Sequence, residues 1–288
     1  MKFGIVFPQT EIGADPDDIA RFAHAVEEAG FDHLLAYEHV LGANTASRPN
    51  WSGPYTSESM FHEPFVLFGF LSAIVSHLEF VTGIVILPQR QTALVAKQSA
   101  CLDVISRGRF RLGIGTGWND VEYEALGENF HNRGKRSEEQ IDLMRKLWSE
   151  DSITYQGKWH KVTDAGLNPL PINKSIPLWL GGTAPQVIDR VARMGDGWFP
   201  FFNPNLQSQI ELVRERAAEV GRNPDEIGIE CILPVGEMGS NERDRIKLCS
   251  DIGVTHVSAV TMGHGFKSVG EQVNAVKRYG DDVVSGLS

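Results

Sequence analysis

The most reactive pair of neighbouring side chains in this sequence is Glu38-His39, which follows a short apolar segment. An imidazole with an ordinary pKa of about 6.5 can exchange a proton at neutral pH, so His39 is a candidate general acid or base. The carboxylate of Glu38 could orient a ring N–H of a bound cofactor. The structural alternative remains open for both: His39 would close a strand, and Glu38 would face a surface loop.

Two glycine-rich segments could bind the phosphate of a ligand. They are Gly115-Thr116-Gly117-Trp118 and Gly181-Gly182-Thr183, and each joins an apolar segment to a polar one that starts a helix. Successive backbone N–H groups in such turns can surround an anion, and the following helix adds its dipole. Spacing alone equally allows tight turns that bind nothing. Trp118 could stack on a ring system or fill the core.

A repeating order of strand and helix must position these residues. The apolar segments predict eight strands, each followed by a helical segment, at residues 3–7, 33–37, 80–87, 110–114, 177–180, 197–201, 227–233 and 254–260. Repeated βα units imply parallel strands, and eight of them favour an α/β fold with one closed (β/α)8 TIM barrel over residues 1–288. Residues 152–163 read as a hairpin turning at Gln156-Gly157, so we expect a hairpin insertion around residues 151–176.

Local signals mark several helix starts. Asp15 precedes Pro16 and two further acids, which predicts an N-cap. The patterns Ser137-x-x-Gln140 and Thr183-x-x-Gln186 predict capping boxes for two later helices.

The predicted strand ends carry few groups able to do covalent chemistry. In a barrel these ends hold the active site, and here they offer Glu38 and His39 but no lysine or cysteine. A metal site usually needs more His, Asp or Glu ligands, so we expect none. Cys101, Cys231 and Cys249 form no C-x-x-C pair and suggest neither disulfides nor zinc. Glycines and aromatic residues predominate, which favours a bound cofactor that performs the chemistry.

Composition narrows the class of protein. The chain has 288 residues and a formal net charge of −10, which argues against nonspecific binding to nucleic acid or to acidic membranes. Its most apolar stretch, residues 64–75, is far shorter than the roughly 20 residues of a membrane span. The cysteine pattern and the absence of a signal-peptide core predict a cytoplasmic location.

The same apolar stretch predicts a helix, from Glu63 to about His77, that is buried on every side. Barrel helices normally keep one polar face towards solvent. We therefore expect this helix to pack against a second copy of the chain in a homodimer. The alternative is that the hairpin insertion covers it.

Several separated motifs resemble the bacterial luciferase-like monooxygenase family. The match covers nearly the whole chain, and Glu38-His39 with Gly-Thr-Gly-Trp is similar to the branch that depends on coenzyme F420, a 5-deazaflavin. The motifs are Thr82-Gly83-Ile84-Val85-Ile86-Leu87-Pro88, Ala96-Lys97-Gln98, Leu102-Asp103-x-x-Ser106-x-Gly108-Arg109-Phe110-x-Leu112-Gly113-x-Gly115-x-Gly117-Trp118, Arg133-Gly134, Pro177-x-Trp179-x-Gly181-Gly182 and Asp196-Gly197-Trp198.

This resemblance implies roles for particular residues. A non-prolyl cis peptide, by position Gly83-Ile84, would end the third strand and back the cofactor ring. The loops at Gly115–Gly117 and Gly181–Thr183 would hold the cofactor phosphate, and His39 would be the acid or base. Deazaflavin-dependent dehydrogenases of the family carry a catalytic glutamate directly after Gly-Thr-Gly, where this chain has Trp118. Their oxidation of alcohols or sugar phosphates is therefore not carried over.

The leading functional hypothesis is a deazaflavin-dependent oxidoreductase that moves hydride to or from a small organic substrate, with His39, aided by Glu38, as the catalytic residues that relay a proton. The loop from Leu41 to His62 would cover the substrate. A first alternative is an FMN-dependent monooxygenase that uses O₂ and takes reduced flavin from a partner reductase. A second alternative is a flavin-binding barrel without catalytic activity. A third, a metal-dependent hydrolase, is disfavoured because the predicted strand ends offer too few metal-ligating side chains.

Overall fold

Eight parallel strand positions close into a barrel in the computed structural model, which describes residues 1–235 and 240–284. The strands in chain order are β1 (Lys2–Val6), β2 (His33–Ala36), β3 (Glu79–Thr82), β4 (Val85–Ile86), β5 (Phe110–Gly115), β6 (Ile153–Gln156), β7 (Lys161–Ala165), β8 (Leu178–Gly181), β9 (Gly197–Phe199), β10 (Gly228–Pro234) and β11 (His256–Val260). Strand β1 pairs with β2 and β11, and β3 pairs with β5 to complete the ring, so the predicted TIM barrel is confirmed.

Helices surround the barrel. They are α1 (Pro16–Glu28), α2 (Pro64–Leu71), α3 (Thr92–Ile105), α4 (Asp120–Ala125), α5 (Arg133–Ser149), α6 (Pro185–Met194), α7 (Leu206–Glu219), α8 (Ser240–Asp251) and α9 (Val269–Tyr279). Short 3₁₀ turns occupy Leu87–Gln89, Phe130–Asn132 and Pro224–Glu226, and a π turn follows α9 at Gly280–Val284. No helix in the described ranges is long and apolar enough to cross a membrane.

The barrel strands are nearly continuous apolar runs because both of their faces are buried. Residues Ile5, Leu34 and Phe80 of three adjacent strands have no exposed surface. Helix α1 begins as the sequence predicts: the Asp15 side chain accepts a hydrogen bond from Asp17 N at 2.9 Å, and Pro16 is the first helical residue. Outside the barrel, β6 and β7 form the antiparallel hairpin expected within residues 151–176.

The third barrel position is broken into two strands, whereas the sequence predicted one strand over residues 80–87. The peptide bond between Gly83 and Ile84 is cis, as the family resemblance implied. Beyond this bond the chain pairs again with β5, where Val85 lies opposite Ile114. Before it, Thr82 Oγ1 donates to Gly113 O at 2.7 Å, so the break is closely packed against the neighbouring strand.

Both predicted capping boxes are wrong. Helix α5 begins at Arg133, one turn before Ser137, whose hydroxyl donates to Gly134 O inside the helix. Gln140 Nε2 instead donates to Leu87 O at 3.1 Å and so joins α5 to the barrel. Helix α6 has Ala184 at its N-cap position and no side-chain cap. Thr183, the predicted cap, therefore lies one residue before the N-cap position. Residues of the right type at the right spacing therefore did not identify where either helix begins.

The apolar helix is shorter than predicted, and in one chain it is not buried all round. Val66 and Phe70 of α2 expose 71% and 41% of their surface, while Leu67, Phe68 and Leu71 are buried. The hairpin does not cover the exposed residues. It is held instead against α5 and the start of α3, through Glu139 and Thr92.

Candidate active site

A histidine and a glutamate from different βα units meet at the mouth of the barrel. His39 follows β2, and its Nδ1 hydrogen-bonds to Oε1 of Glu122 in α4. The side chains expose only 6% and 3% of their surface. The other ring nitrogen of His39, Nε2, is buried and has no hydrogen-bond partner in the described part of the chain.

The Glu122 carboxylate is held by four donors. Besides His39, its Oε1 accepts from Val40 N at 2.9 Å and Leu41 N at 3.2 Å, and its Oε2 accepts from Gln89 Nε2 at 3.0 Å. Burial opposes ionisation, but the hydrogen bonds from His39, Gln89 and Leu41 outweigh it and leave the pKa of Glu122 below its usual value. An ionised Glu122 only accepts hydrogen bonds, so the proton of a neutral His39 lies on Nδ1 and the lone pair on Nε2.

Sequence reasoning missed Glu122. The residue lies in the first turn of α4, in a segment that contains several acids, and nothing in its spacing marks it as a partner of His39. The departure noted in the sequence, Trp118 in place of a glutamate directly after Gly-Thr-Gly, concerned the right segment, because Glu122 lies four residues further along and reaches the barrel mouth.

Glu38 is directed to the strand break and not to His39 Nδ1. One carboxylate oxygen accepts from Ile86 N at 2.5 Å, and the other pairs with Arg90 Nη2. Arg90 also contacts Glu63 at 2.8 Å. Burial raises the pKa of Glu38, although Arg90 and the Ile86 N–H partly offset this effect. These contacts tie β2 to β4 and so fix the position of Ile84.

Aromatic rings surround His39. The ring centroids of Tyr55, Phe61 and Trp118 lie 5.4, 5.3 and 5.9 Å from the His39 centroid. Trp118 is 47% exposed, so it does not fill the core, which was one interpretation of the sequence. Its ring centroid lies 5.7 Å from that of Trp51.

The long loop after His39 closes over this site as a compact unit, and we call residues 40–62 the cover loop. Its two arms are joined where Ser57 N donates to Ala43 O at 3.0 Å, and Trp51 Nε1 donates to Tyr55 O at 3.1 Å. At its end, His62 N donates to Gln9 Oε1 at 2.8 Å. The loop predicted to cover a substrate therefore packs directly against His39.

The two predicted phosphate loops meet at Ile84. A Cβ added to Gly115 would lie 1.8 Å from Ile84 Cδ1, and one added to Gly181 would lie 3.2 Å from Ile84 Cγ2. Gly117 and Gly182 have φ values of +66° and +113°, a region that side chains rarely adopt. The structure thus brings Gly83-Ile84 and both glycine-rich segments together, close to Trp118.

The hydrogen bonds of these loops are partly internal. Thr116 O accepts from Tyr123 Oη at 2.7 Å, and Gly182 O accepts from Trp198 Nε1 at 2.7 Å. Trp198 is fully buried and belongs to the core. Within residues 1–235 and 240–284, no group of three or more His, Cys, Asp or Glu side chains could hold a metal ion.

The chain is similar in sequence to an FMNH2-dependent monooxygenase and to an uncharacterized mycobacterial protein. It is 30% identical to the FMNH2-dependent dimethylsulfone monooxygenase of Pseudomonas fluorescens, over 69% of this chain and 52% of that protein. It is 28% identical to the uncharacterized protein Rv0940c of Mycobacterium tuberculosis, over 91% of this chain and 93% of the other.

Solved structures share the fold at low sequence identity. An F420-dependent secondary alcohol dehydrogenase in complex with an F420-acetone adduct superposes with a TM-score of 0.80 at 17% identity, covering 100% of this chain and 99% of that one. The monooxygenase RslO1 from Streptomyces bottropensis gives 0.77 at 19% identity and covers 100% of both chains. The model of the luciferase-like monooxygenase family matches residues 1–235. The chain is an enzyme of the luciferase-like monooxygenase family.

Proposed function

We propose that this protein is an oxidoreductase that uses coenzyme F420 to transfer hydride to or from a small organic substrate. The observation that carries the proposal is the buried His39–Glu122 pair with its unpartnered Nε2. When hydride moves to or from a carbon that bears oxygen or nitrogen, a proton must be delivered or removed at the heteroatom. His39 Nε2 would hold that proton, and Glu122 would stabilise the imidazolium form.

In this proposal a planar cofactor with a phosphate would lie at Ile84, where the two glycine-rich segments meet. Gly83-Ile84 would back the ring. Gly115, Gly117, Gly181 and Gly182 would let the backbone approach the phosphate, and Thr116 and Thr183 would add hydroxyl groups. A bound deazaflavin would supply two-electron hydride chemistry at its ring. Trp118 would border the ring beside His39.

Glu38 acts in this proposal as a positioning residue. Its carboxylate binds Ile86 N and Arg90, so it keeps the chain after the cis peptide in place behind the ring. Tyr55 and Phe61 of the cover loop would exclude water from His39, because they already pack on the imidazole in the closed arrangement.

An FMN-dependent monooxygenase is the second candidate. It is favoured by the 30% identity to an FMNH2-dependent dimethylsulfone monooxygenase. In that case the same loops would hold FMN, O₂ would be a substrate, and a partner reductase would supply reduced flavin.

Titration of the apo-protein with each cofactor distinguishes the candidates. We expect F420 to bind at micromolar concentration, measured by quenching of its fluorescence, and to be reduced or oxidised in the presence of a substrate from a panel of small alcohols, carbonyl compounds and imines. Micromolar binding of FMN with no binding of F420 would overturn the proposal. Binding of F420 without turnover of any donor or acceptor would contradict the hydride-transfer part of the proposal.

We further propose that the exposed face of α2 forms a homodimer. Val66 and Phe70 lie on it, and Leu94 and Ile105 of the neighbouring α3 are 52% and 55% exposed. Such a set of exposed apolar side chains on adjacent helices is typical of a surface that another protein covers.

A further inference from the structure

A cleft outside the barrel mouth lies beside the second glycine-rich segment. Its volume is about 680 Å³, and its walls come from the start of α5, the start of α6 and the tip of the β6–β7 hairpin. Pro185, at the start of α6, lies on its wall and only two residues after Thr183. Chain connectivity therefore keeps Pro185 within about 7 Å of Thr183 in the proposed phosphate loop.

The cleft is lined by cations although the chain as a whole is acidic. Lys135, Lys158, Arg190 and Arg216 line it. Two carboxylates also reach it, but these already pair with arginines: Glu138 with Arg190 at 3.1 Å and Asp189 with Arg216 at 3.5 Å.

The two lysines have no such partner. In the described part of the chain, neither Lys135 nor Lys158 has a carboxylate within salt-bridge distance, and the Lys158 ammonium lies 4.8 Å from the Trp159 ring centroid. The guanidinium of Arg190 is a fixed part of the wall, because its side chain is only 7% exposed and donates to Gly134 O at 3.1 Å. The wall therefore combines two paired cations, Arg190 and Arg216, with two exposed, unpaired ones, Lys135 and Lys158.

The helix starts beside the cleft contain no acidic residue. Neither α5 nor α6 has an acid in its first turn or a side chain that caps it. Helix N-termini are usually complemented by negative charge. Lys135 in the first turn of α5 adds positive charge instead, so the potential in the cleft favours an anion.

The hairpin insertion places Lys158 and Trp159 in the cleft. Glu139 of α5 accepts hydrogen bonds at 2.8 Å from the backbone N–H groups of Lys158, Trp159 and His160. His160 Nδ1 also contacts Glu139, and its Nε2 lies 2.8 Å from Thr92 Oγ1. These bonds fix the hairpin tip against α5 and α3.

We propose that this cleft binds the anionic chain that coenzyme F420 carries beyond its phosphate. That chain consists of glutamyl residues and bears several carboxylates, whereas FMN ends at its phosphate. The inference rests on the proposed function, and it assigns the hairpin insertion a role in cofactor selection. Lys158 on the hairpin and Lys135 on α5 would attract the glutamyl carboxylates.

The test compares F420 molecules that carry no, one or several glutamyl residues. We expect affinity, measured by fluorescence titration of the apo-protein, to rise with the number of glutamyl residues. The double variant Lys135→Gln/Lys158→Gln should lose that gain, by about 2- to 5-fold for each lysine, and added salt should reduce it in the wild type. Lys146→Gln, an exposed lysine further along α5, is the matched control and should change nothing.

The outcomes separate this inference from the proposed function. Equal affinity for all forms of F420, in both the wild type and the double variant, would overturn the inference and leave the cofactor assignment intact. Binding of FMN with no binding of any F420 form would overturn both. Thermal unfolding of each variant checks that the fold is retained.

Discussion

His39 Nδ1 and the Glu122 carboxylate form one hydrogen bond across 83 positions of sequence, and the same carboxylate oxygen accepts from the backbone of Val40 and Leu41. A single side chain therefore fixes both the orientation of the imidazole and the first residues of the cover loop. This arrangement explains how a histidine at the end of a strand can be held with one nitrogen occupied and the other available.

Glu122→Gln should disable His39 without unfolding the protein. The amide keeps the shape of the side chain but removes the charge that favours Nδ1–H and an imidazolium. We expect kcat to fall about 10²- to 10⁴-fold with little change in cofactor affinity. The ¹⁵N shifts of His39 should report protonated Nδ1 at pH 7 in the wild type and lose this preference in the variant.

Glu124→Gln is the control, because Glu124 lies on the same helix and is exposed. Unchanged His39 shifts in Glu122→Gln would contradict the assigned role. In the wild type the lowered pKa of Glu122 keeps it ionised as the pH falls through the usual carboxylate range, so the hydrogen bond from His39 Nδ1–H to Glu122 should persist at pH 5.

Gly115→Ala should disrupt the cofactor site. The new methyl group would lie 1.8 Å from Ile84 Cδ1, so Ile84 must move or the turn must open. We expect cofactor affinity, measured by titration, to fall at least about 10-fold, since a misplaced wall costs on the order of 1.4 kcal/mol or more. Gly270→Ala provides a control in α9, where the nearest neighbour of the added Cβ lies 3.8 Å away. Equal affinities of the two variants would show that Ile84 does not border the cofactor.

The sequence was sufficient for the barrel and for the segments that form its mouth. Alternation of apolar strands with helices defines the topology, and the glycine segments follow strands β5 and β8 as expected. The Gly83-Ile84 cis bond followed from the motif resemblance and not from propensity. The pairing of His39 with Glu122 did not follow from any local pattern, because it depends on how α4 returns over the barrel after an irregular turn.

Local capping patterns failed for a related reason. Gln140 fits the capping pattern, yet its amide binds Leu87 O and Arg90 O at 3.1 and 3.2 Å. Long-range hydrogen bonds from a buried side chain outweighed the local motif. Whether another chain covers the outer face of α2 likewise depends on contacts between chains, which no local pattern in the sequence specifies.

A buried network at the other end of the barrel should make stability depend on pH. Glu230 contacts His33 Nε2 at 2.8 Å and Arg111 Nη1 at 2.7 Å, and His256 packs beside this group. Burial, with Arg111 as a second cause, lowers the pKa of His256 to about 3. In the unfolded state His256 binds a proton near pH 6.5, whereas in the folded state it does so only near pH 3. The free energy of unfolding therefore decreases as the pH falls from 6.5 towards 3.

His256→Gln should remove this part of the pH dependence. Between pH 6 and pH 5, the free energy of unfolding should fall by about 1 kcal/mol less in the variant than in the wild type. The lowered pKa of Glu230 contributes mainly below this window. Urea unfolding at both pH values measures the difference, and His24→Gln, which changes an exposed histidine, should leave the slope unchanged. Identical slopes in His256→Gln and the wild type would show that this residue titrates alike in both states.

Charge on the outer face of α2 should separate the proposed dimer. Val66 is 71% exposed and lies next to no covering element in one chain, so Val66→Asp costs little in the monomer but places a carboxylate in an apolar interface. We expect the wild type to have twice the monomer mass at micromolar concentration in light scattering, and Val66→Asp and Phe70→Ser to have the mass of one chain. Leu248→Asp alters a residue on α8 that is 50% exposed, and it should remain dimeric. A wild-type mass equal to one chain would exclude the dimer. A dimer that survives Val66→Asp would place the contact between chains on another surface, and the exposed apolar residues of α2 would then need another partner.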